Sequence, residues 1–383
     1  MAKNNYLFSG LGPGQGGVGA LMQNLVPIAQ RHGFRVVAKW NGSSGRKLLS
    51  QRRYVQVAKL VALRLFTRMR FYLAANSVRN SKVIFLHPQT AGFKVLFRLA
   101  QKNELFLYVM DNSFFCMRSY NFHPDDKMEC FKCVGNAANA DAQCSPFPVA
   151  MDRKENLAML EQLREISPRI TFLCQNENQS QLLKKHFDAD TRCVVIGMNT
   201  GELRNWTPAE LQTPIGNSKK PFILFHGAAA EPKGLDFVIR LAAKMPHRRF
   251  IVPAPENQLK HYAIPKNIEC HDVTWSNGLR ELTQEASLVL NPSMWSAPIE
   301  GALIKSLAYN RNVATVKTQH GYESEIPDDV GLLRLPQDVN GAAVLVEEFL
   351  EGEKALTFPL HSRIEWLEMM KASNQFEHFI STL

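Results

Sequence analysis

Short apolar runs alternate along the chain with longer stretches in which apolar residues recur every three or four positions. The runs are typical of buried parallel strands, and the intervening stretches are typical of helices that pack on a sheet. The predicted strands are Tyr6–Ser9, Arg35–Ala38, Lys82–His87, Leu105–Met110, Ile170–Cys174, Arg192–Ile196, Phe222–Phe225, Arg249–Val252, Ile268–His271, Leu288–Leu290, Val313–Val316 and Leu332–Leu333. The alternation predicts an α/β protein with two doubly wound parallel sheets.

The length predicts two domains, because 383 residues exceed what one ordinary core organises. Proline, glycine and asparagine in 202–221 indicate a linker. We therefore predict an N-terminal domain at 1–201, with an irregular cysteine-bearing loop at 112–150, and a C-terminal domain at 222–361. Residues 362–383 are expected to form a helix that can cross back to the first domain. Ligands of such sheets bind beyond the carboxyl ends of the strands, so a cleft between the domains is the expected site.

The segment Asn291–Ala308 carries the clearest chemical signal. A short strand stops at Asn-Pro-Ser, and an amphipathic helix opens at Pro298–Gly301. A strand–loop–helix of this kind directs unpaired backbone N–H groups and the positive end of a helix dipole at the loop. Such a loop suits an anion such as a diphosphate, and Glu300 could hold a sugar or ribose hydroxyl. The segment favours an enzyme that uses a nucleotide sugar.

Two glycine-bearing loops each follow the first strand of a predicted domain. Gly14–Gly19 lacks both the Walker Gly-Lys-Ser/Thr and an acid about twenty residues further on, which disfavours a dinucleotide site. Its glycines suit close approach to a phosphate, or simply a tight strand–helix turn. In His226–Gly234, Lys233 could place its charge on a diphosphate. The alternative is an exposed lysine near a helix N-terminus, where a cation is unfavourable.

The net charge of +10 is unevenly distributed. No Asp or Glu precedes Glu104, whereas the first 103 residues hold 17 Lys and Arg. Residues 46–82 combine ten of these cations with apolar groups, which predicts a basic amphipathic surface for anionic lipid. Nucleic acid is the disfavoured rival, and a solvated helical face is the other alternative. Without a spanning helix or a signal peptide at the start, we expect a cytoplasmic protein.

Four of the seven cysteines fall close together, at Cys116, Cys130, Cys133 and Cys144. Cys130 and Cys133 have the spacing of a metal-ligand pair, and the outer two could complete a tetrahedral thiolate site. We predict a structural zinc here, with His123 as an alternative ligand. Four reduced cysteines in a loop are the alternative, and a catalytic thiol is disfavoured.

Motifs in both halves, taken in order, resemble retaining GT-B glycosyltransferases. In the second half they are Pro232–Asp236 before a helix, Asn291–Ser293, Glu300–Ala308 and His320–Ile326; in the first half they are Gly16–Gly19 and Phe85–His87. The relatives are bacterial group 1, or family 4-like, enzymes that build lipopolysaccharide, capsule and related cell-surface polysaccharides. The resemblance implies two Rossmann-like domains that face each other across a cleft.

The resemblance also implies a reaction and its residues. A sugar would pass with retention from a nucleotide diphosphate sugar to a lipid-linked or other saccharide acceptor, at the inner face of the membrane and without a catalytic metal. Lys233 and Glu300 would be catalytic, and either His87 or Asp111 would contact the acceptor hydroxyl or the donor sugar unless it is only a cap or turn residue. The implied donor-binding residues are Gly16, Gly17, Gly227, Lys233, Glu300, Gly301, Ala302, Leu303 and Glu325.

The chain departs from the family pattern in two places. The family has two glutamates separated by seven residues, and Ala297 and Lys305 occupy those positions here. The arginine that accompanies the phosphate lysine is replaced by Ala228–Ala230. Either Glu300 takes over a sugar contact or the pocket recognises the donor by different contacts. A non-catalytic relative that binds sugar nucleotides or glycans is therefore an alternative, and a nucleic-acid-binding α/β protein is another.

Overall fold

The computed structural model describes residues 5–14, 17–40, 52–212, 220–352, 358–373 and 375–383. Contacts divide the chain into two compact units. The first unit contains Met1–Ser119, Lys132–Gly201 and Asn374–Leu383, and the second contains Tyr120–Phe131 and Glu202–Ser373.

The first unit is built on a six-stranded parallel sheet with the order β2-β1-β3-β4-β5-β6. Its strands are β1 (Asn5–Leu11), β2 (Phe34–Trp40), β3 (Lys82–Leu86), β4 (Glu104–Tyr108), β5 (Ile170–Cys174) and β6 (Cys193–Val195). Its α-helices are Gly17–Arg31, Tyr54–Ser77, Pro88–Ala91, Phe93–Lys102, Arg153–Ile166, Glu177–His186 and Gln375–Ser381, and its 3-10 turns are Ala137–Asn139 and Ser167–Arg169. Apolar residues of the central strands are fully buried, as expected for a sheet covered on both faces.

The second unit repeats this plan with the strand order β12-β11-β10-β7-β8-β9. Its strands are β7 (Ile223–Phe225), β8 (Phe250–Val252), β9 (Ile268–Cys270), β10 (Leu288–Asn291), β11 (Val313–Val316) and β12 (Leu332–Leu335). Its α-helices are Pro208–Gln212, Leu235–Lys244, Glu256–Leu259, Leu279–Glu285, Gly301–Tyr309, Val339–Leu350 and Leu360–Ala372, and its 3-10 turns are Glu231–Lys233, Tyr322–Ser324 and Asp328–Val330. The predicted pair of doubly wound parallel sheets is confirmed.

A short segment departs from the domain boundaries that the sequence predicted. Tyr120–Phe131, here called the arm, belongs to the second unit although the chain on either side of it belongs to the first. Phe122 is 2% exposed and packs in the core of the second unit. Asn121 Oδ1 accepts a hydrogen bond from the backbone N–H of Ser296 at 2.9 Å. The arm groups with the second unit because its apolar and polar contacts are made there.

The predicted linker and final helix also differ in detail from the structure. Part of the linker is ordered structure of the second unit, since Trp206 is 1% exposed and donates its indole N–H to Ala308 O at 2.7 Å. Residues 213–219 lie outside the described residues. The C-terminal segment forms two helices where one was predicted. Leu360–Ala372 groups with the second unit, and Gln375–Ser381 groups with the first, where Phe376 is fully buried.

Candidate functional site

The carboxyl ends of β7, β10 and β11 are tied together by hydrogen bonds. The side-chain amide of Asn291, the last residue of β10, donates to His226 O just beyond β7 at 2.5 Å. Thr315 Oγ1 in β11 donates to Asn291 O at 2.7 Å. In an open α/β sheet this edge is where ligands bind. The loops that carry Lys233 and Glu300 both start here.

Gly234 lets the loop after β7 approach the loop after β10. Its φ of +87° suits glycine, and a Cβ at this position would overlap the carbonyl oxygen of Pro292. The backbone N–H of Met294 donates to Pro232 O at 2.9 Å and ties the same two loops. Lys233, immediately before Gly234, is thereby aimed at the residues that follow β10.

Lys233 and Glu300 form an ion pair in the second unit, with Lys233 Nζ 2.7 Å from Glu300 Oε1. The same oxygen accepts from Ser293 Oγ at 2.5 Å and from Trp295 Nε1 at 3.2 Å. The side chains of Lys233 and Glu300 are 22% and 12% exposed. The two residues that the sequence singled out are therefore brought together, and the carboxylate neutralises the ammonium.

Two aromatic rings complete the surroundings of the Lys233 ammonium. Its Nζ lies 4.8 Å from the ring centroid of Trp295 and 5.5 Å from that of Tyr120. The two rings meet edge to face with centroids 4.5 Å apart. A cation over aromatic faces is stabilised by the ring quadrupole. Neither ring was predicted, and Tyr120 comes from the arm.

The helix Gly301–Tyr309 begins at this ion pair. Glu300 is its N-cap residue, but its side chain does not cap the helix because it accepts from Lys233, Ser293 and Trp295. The predicted donor-binding residues Gly301, Ala302 and Leu303 form the first turn, whose N–H groups make a helix N-terminus favourable to anions.

A second ion pair flanks the same helix. Lys305 Nζ lies 2.9 Å from Glu202 Oε2, and both side chains are less than one-fifth exposed. Glu202 also lies close to Gly301, since a Cβ at position 301 would be 2.6 Å from Glu202 Oε1. A carboxylate thus stands beside the first turn, supplied by the segment that the sequence treated as a linker.

Side-chain contacts hold His226 at the start of the loop after β7. His226 is buried, and its Nδ1 lies 2.8 Å from Ser306 Oγ. Its ring stacks on Trp275 with the centroids 5.5 Å apart. Burial lowers the pKa of His226 to about 3, so the ring is neutral at pH 7. Gly227, predicted to approach the donor, follows directly and is half-buried.

Glu323 holds the loop after β11 and lies two residues before Glu325, the predicted ribose contact. Glu323 is 7% exposed and accepts from the backbone N–H and the hydroxyl of Thr318, both at 2.6 Å. Burial raises the pKa of this carboxyl. Glu325 ends the 3-10 turn Tyr322–Ser324 and is half-buried, and its predicted ribose contact stays a prediction.

The arm presents a further carboxylate that the sequence did not single out. Glu129 Oε1 accepts from Gln319 N at 2.7 Å, and Glu129 Oε2 accepts from Ser296 Oγ at 2.9 Å. Burial raises the pKa of Glu129 despite these hydrogen bonds. Glu129 therefore links the arm to the loops after β10 and β11.

His87 and Asp111 lie at the carboxyl ends of neighbouring strands of the first unit, after β3 and β4. His87 has a φ of +54°, which is uncommon for a residue other than glycine, and its Nδ1 lies 2.6 Å from Thr90 Oγ1. Asp111 accepts from Gln89 Nε2 at 2.8 and 2.7 Å and from Ser113 N at 3.0 Å. Strained backbone at a strand end is typical of functional sites.

The two groups influence each other's protonation. Burial lowers the pKa of His87, and the Asp111 charge partly opposes this. Burial raises the pKa of Asp111, which the hydrogen bonds and His87 partly oppose. A neutral imidazole beside a carboxyl group of raised pKa can accept or share a proton. The glycine-rich loop of the same unit contributes Gly17, the exposed first residue of the helix Gly17–Arg31, whereas Gly16 lies outside the described residues.

The predicted zinc site stays a prediction. Within the part of the chain that the structure describes, no three His, Cys, Asp or Glu side chains form a group that could hold a metal ion. Cys130 belongs to the arm, whereas Cys116, Cys133 and Cys144 belong to the first unit. His123, the alternative ligand, lies in the arm with its Nδ1 3.0 Å from Asp126 Oδ2.

Other contacts hold the cysteine-bearing loop in place. The Arg153 guanidinium donates to the carbonyl oxygens of Ala140, Asp141 and Cys144 at 2.6 to 2.8 Å. Cys144 packs against the small apolar cluster of Met117, Ala137 and Leu160. Packing and carbonyl hydrogen bonds therefore order this loop.

The helix Tyr54–Ser77 covers most of the predicted basic surface; residues 46–51 lie outside the described part. Its exposed large apolar side chains include Val55 at 71%, Tyr54 at 66% and Leu65 at 62%. The cations of this helix are Lys59, Arg64, Arg68 and Arg70, and it contains no acid. Among the described helices, none is both long and apolar enough to cross a membrane.

Among the solved structures that match nearly the whole chain, three illustrate the similarity. They are sucrose-phosphate synthase from Thermosynechococcus elongatus (TM-score 0.58, 13% identity), Anabaena Alr3699/HepE in complex with UDP and glucose (0.57, 12%) and α,α-trehalose 6-phosphate synthase from Burkholderia multivorans (0.56, 12%). Each match covers 99% of this chain and 97% of the other. The fold is GT-B. The predicted GT-B fold is therefore confirmed. No protein-family model matches the sequence, and no curated protein matches it.

Proposed function

We propose that this GT-B protein is a glycosyltransferase that moves a sugar from a nucleotide diphosphate sugar to a lipid-linked or other saccharide acceptor. The main support for the proposal is the ion pair between Lys233 and Glu300. It lies at the N-terminus of the helix Gly301–Tyr309, at the carboxyl end of β10. The structure of Anabaena Alr3699/HepE with UDP and glucose supports a nucleotide-sugar donor.

Stabilisation of the departing diphosphate is the main task of the second unit in this proposal. The Lys233 ammonium and the N–H groups of the first helical turn supply positive charge and dipoles that are already in position. The donor would take the ammonium away from Glu300, which lies 2.7 Å from it. The released carboxylate would then accept a hydrogen bond from a sugar hydroxyl. We propose retention at the anomeric carbon, in line with the motifs that this chain shares with retaining enzymes.

The first unit would serve the acceptor. The raised pKa of Asp111 suits a group that accepts a proton from an attacking hydroxyl, because a general base works best with a pKa near the working pH. The lowered pKa of His87 keeps its ring neutral, so that it can share a hydrogen bond with a sugar hydroxyl without adding charge.

We further propose that the helix Tyr54–Ser77 rests on the anionic inner surface of the membrane, where an enzyme of lipopolysaccharide, capsule or exopolysaccharide assembly would meet its acceptor. Its exposed apolar side chains and its cations suit the acyl and headgroup layers respectively. Sedimentation with vesicles that contain phosphatidylglycerol tests this surface. We expect Leu65→Glu to reduce binding, with the exposed Val344→Glu of the second unit as control. Binding to DNA but not to vesicles would refute the proposal.

Thermal-shift screening of nucleotide sugars, followed by a transfer assay with the best donor, tests the enzyme assignment. Ligands that bind the folded state raise the melting temperature. We expect a UDP or other nucleotide sugar to stabilise the protein, and we expect Lys233→Ala and Glu300→Gln to abolish transfer. Binding without transfer or hydrolysis would favour the non-catalytic alternative, which Ala297 and Lys305 suggest. Absence of any stabilising nucleotide would overturn the donor site itself.

A further inference from the structure

Trp295 contacts both partners of the ion pair in the second unit. Its indole N–H donates to Glu300 Oε1 at 3.2 Å, while its ring centroid lies 4.8 Å from Lys233 Nζ. Among the described residues, Glu300 Oε1 accepts from Lys233, Trp295 and Ser293. The proposed reaction removes the first of these donors, because the diphosphate takes the Lys233 ammonium. Trp295 and Ser293 then have to hold the carboxylate.

Trp295 is itself fixed by the arm. It is 3% exposed, and its ring meets the ring of Tyr120 edge to face with the centroids 4.5 Å apart. The residue after Trp295 is also held. Asn121 Oδ1 accepts from Ser296 N at 2.9 Å, and Asn121 Nδ2 donates to Ser296 Oγ at 3.1 Å. Packing on the ring and hydrogen bonds to the adjacent residue together restrict the rotamer of a side chain.

The contact between the arm and Ser296 is a buried hydrogen-bond network. The Ser296 hydroxyl accepts from Asn121 and donates to Glu129 Oε2 at 2.9 Å. Asn121 is fully buried and Ser296 is 3% exposed, so the loss of either partner leaves a polar group unsatisfied. Phe122, next to Asn121, packs in the core of the second unit and anchors the arm independently of this network. The arm is therefore a fixed support for the turn that carries Trp295.

We propose that Trp295 is a positioning residue for Glu300, and that the arm holds Trp295 in place through Tyr120 and Asn121. Trp295 keeps the Glu300 carboxylate directed at the donor sugar when the diphosphate withdraws Lys233. The inference rests on the proposed function for the departure of Lys233, whereas the hold of the arm on Trp295 requires no donor.

Trp295→Phe tests the role of the indole N–H, because it keeps an aromatic ring near Lys233 and removes the hydrogen bond to Glu300. We expect kcat for sugar transfer to fall about tenfold, as for the loss of a hydrogen bond to a charged group. The dissociation constant of UDP should change less than about threefold, since UDP lacks the sugar that Glu300 would contact. A loss of UDP affinity as large as the loss in kcat would overturn the positioning role.

Asn121→Ala tests the support that the arm provides. We expect it to lower kcat about threefold to tenfold, but to have no further effect in the Trp295→Phe background, because it acts through Trp295. Asn310→Ala is the matched control. Asn310 is 1% exposed, donates to two backbone carbonyl oxygens and lies at the far end of the helix that Glu300 begins. It should lower stability without changing kcat. Additive effects of Asn121→Ala and Trp295→Phe would contradict the inference.

Fluorine NMR of protein labelled with 5-fluorotryptophan observes Trp295 without a transfer assay. The chain has five tryptophans, and the resonance that Trp295→Phe removes is that of Trp295. We expect UDP and Asn121→Ala each to shift this resonance, and Asn310→Ala to leave it in place. An unmoved resonance in Asn121→Ala would overturn the support by the arm.

These measurements separate the inference from the proposed function. If UDP binds and Trp295→Phe transfers sugar as fast as the wild type, the positioning role fails while the transferase proposal stands. If Asn121→Ala moves the Trp295 resonance but no nucleotide binds, the donor site and the role of Trp295 in transfer both fail, while the hold of the arm on Trp295 stands.

Discussion

Glu300 forms an ion pair with Lys233, the cation assigned to the predicted diphosphate site, so its replacement with glutamine leads to a specific prediction. Glu300→Gln keeps the size of the side chain and its hydrogen bonds to Ser293 and Trp295, but removes the charge that binds Lys233. UDP carries the diphosphate without the sugar that Glu300 would contact, so its affinity reports on the diphosphate site. We expect Glu300→Gln to bind UDP more tightly than the wild type, even though it no longer transfers sugar.

The size of the effect follows from the geometry. At 2.7 Å, Coulomb attraction is about 6 kcal/mol with an effective dielectric constant of about 20, but desolvation and the remaining hydrogen bond offset most of it. A net loss of about 1 to 2 kcal/mol remains for a pair that is 22% and 12% exposed. The UDP affinity of Glu300→Gln should therefore rise about fivefold to thirtyfold. Lys233→Met should lower it about tenfold to a hundredfold, because a charge-assisted hydrogen bond is lost.

Isothermal titration calorimetry of UDP with the wild type, both single variants and the double variant measures these effects. Lys244→Met provides the control, because Lys244 is an exposed lysine of the same unit and lies at the far end of the helix Leu235–Lys244. In the double variant, Glu300→Gln should have no effect, since the ammonium that it releases is absent. Weaker UDP binding by Glu300→Gln alone, or unchanged binding by Lys233→Met, would refute the reasoning.

Three further predictions concern protonation and stability. Burial raises the pKa of Asp111, so the folded state loses stability as the pH rises above the ordinary value of 3.8. Asp111→Asn removes this loss and should raise the urea midpoint at pH 7.5 more than at pH 4. The same variant should lower the transfer rate at least a hundredfold. Burial lowers the pKa of His226 from 6.5 to about 3, so the contribution of the neutral ring to the free energy of unfolding is complete above pH 6.5. Below pH 6.5 this contribution falls by about 1.4 kcal/mol per pH unit. His226→Asn should flatten this pH dependence in urea titrations. Arg363 is fully buried and donates to the carbonyl oxygens of Val330, Asn310 and Gly331. Arg363→Met should therefore lower the free energy of unfolding by about 3 kcal/mol. Unchanged stability would contradict this structural role.

Local patterns predicted the strands well because a buried parallel strand leaves a short continuous apolar run. Ile170–Cys174 and Val313–Val316 have the predicted bounds, and the other strands differ at their ends by up to two residues. The helix Gly301–Tyr309 was also predicted together with the loop before it, since Pro298 and Gly301 mark its start. These features depend on residues that are close together in the sequence, and hydrophobic periodicity detects such local patterns.

The arm could not be predicted in this way. Tyr120 and Glu129 carry no periodic signal, and the chain around them belongs to another sheet. What places them in the second unit is long-range packing of Phe122 and hydrogen bonds to Ser296, which no local pattern records. The four cysteines show the same limit of local patterns. Spacing along the chain groups them, whereas tertiary contacts assign Cys130 to the second unit and the other three to the first, and the zinc site stays a prediction.

The charge at position 305 shows why such a site has to be assessed in space. In the sequence, Lys305 stands where the family resemblance implies a glutamate, and an unpaired lysine there would make the helix N-terminus strongly positive. In the structure, Glu202 lies 2.9 Å from Lys305 and beside Gly301, so a carboxylate still stands next to the first helical turn. Lys233 and Glu300 likewise cancel. An incoming diphosphate therefore meets two ion pairs rather than two free lysines, and its binding must be strong enough to separate at least the pair that contains Lys233.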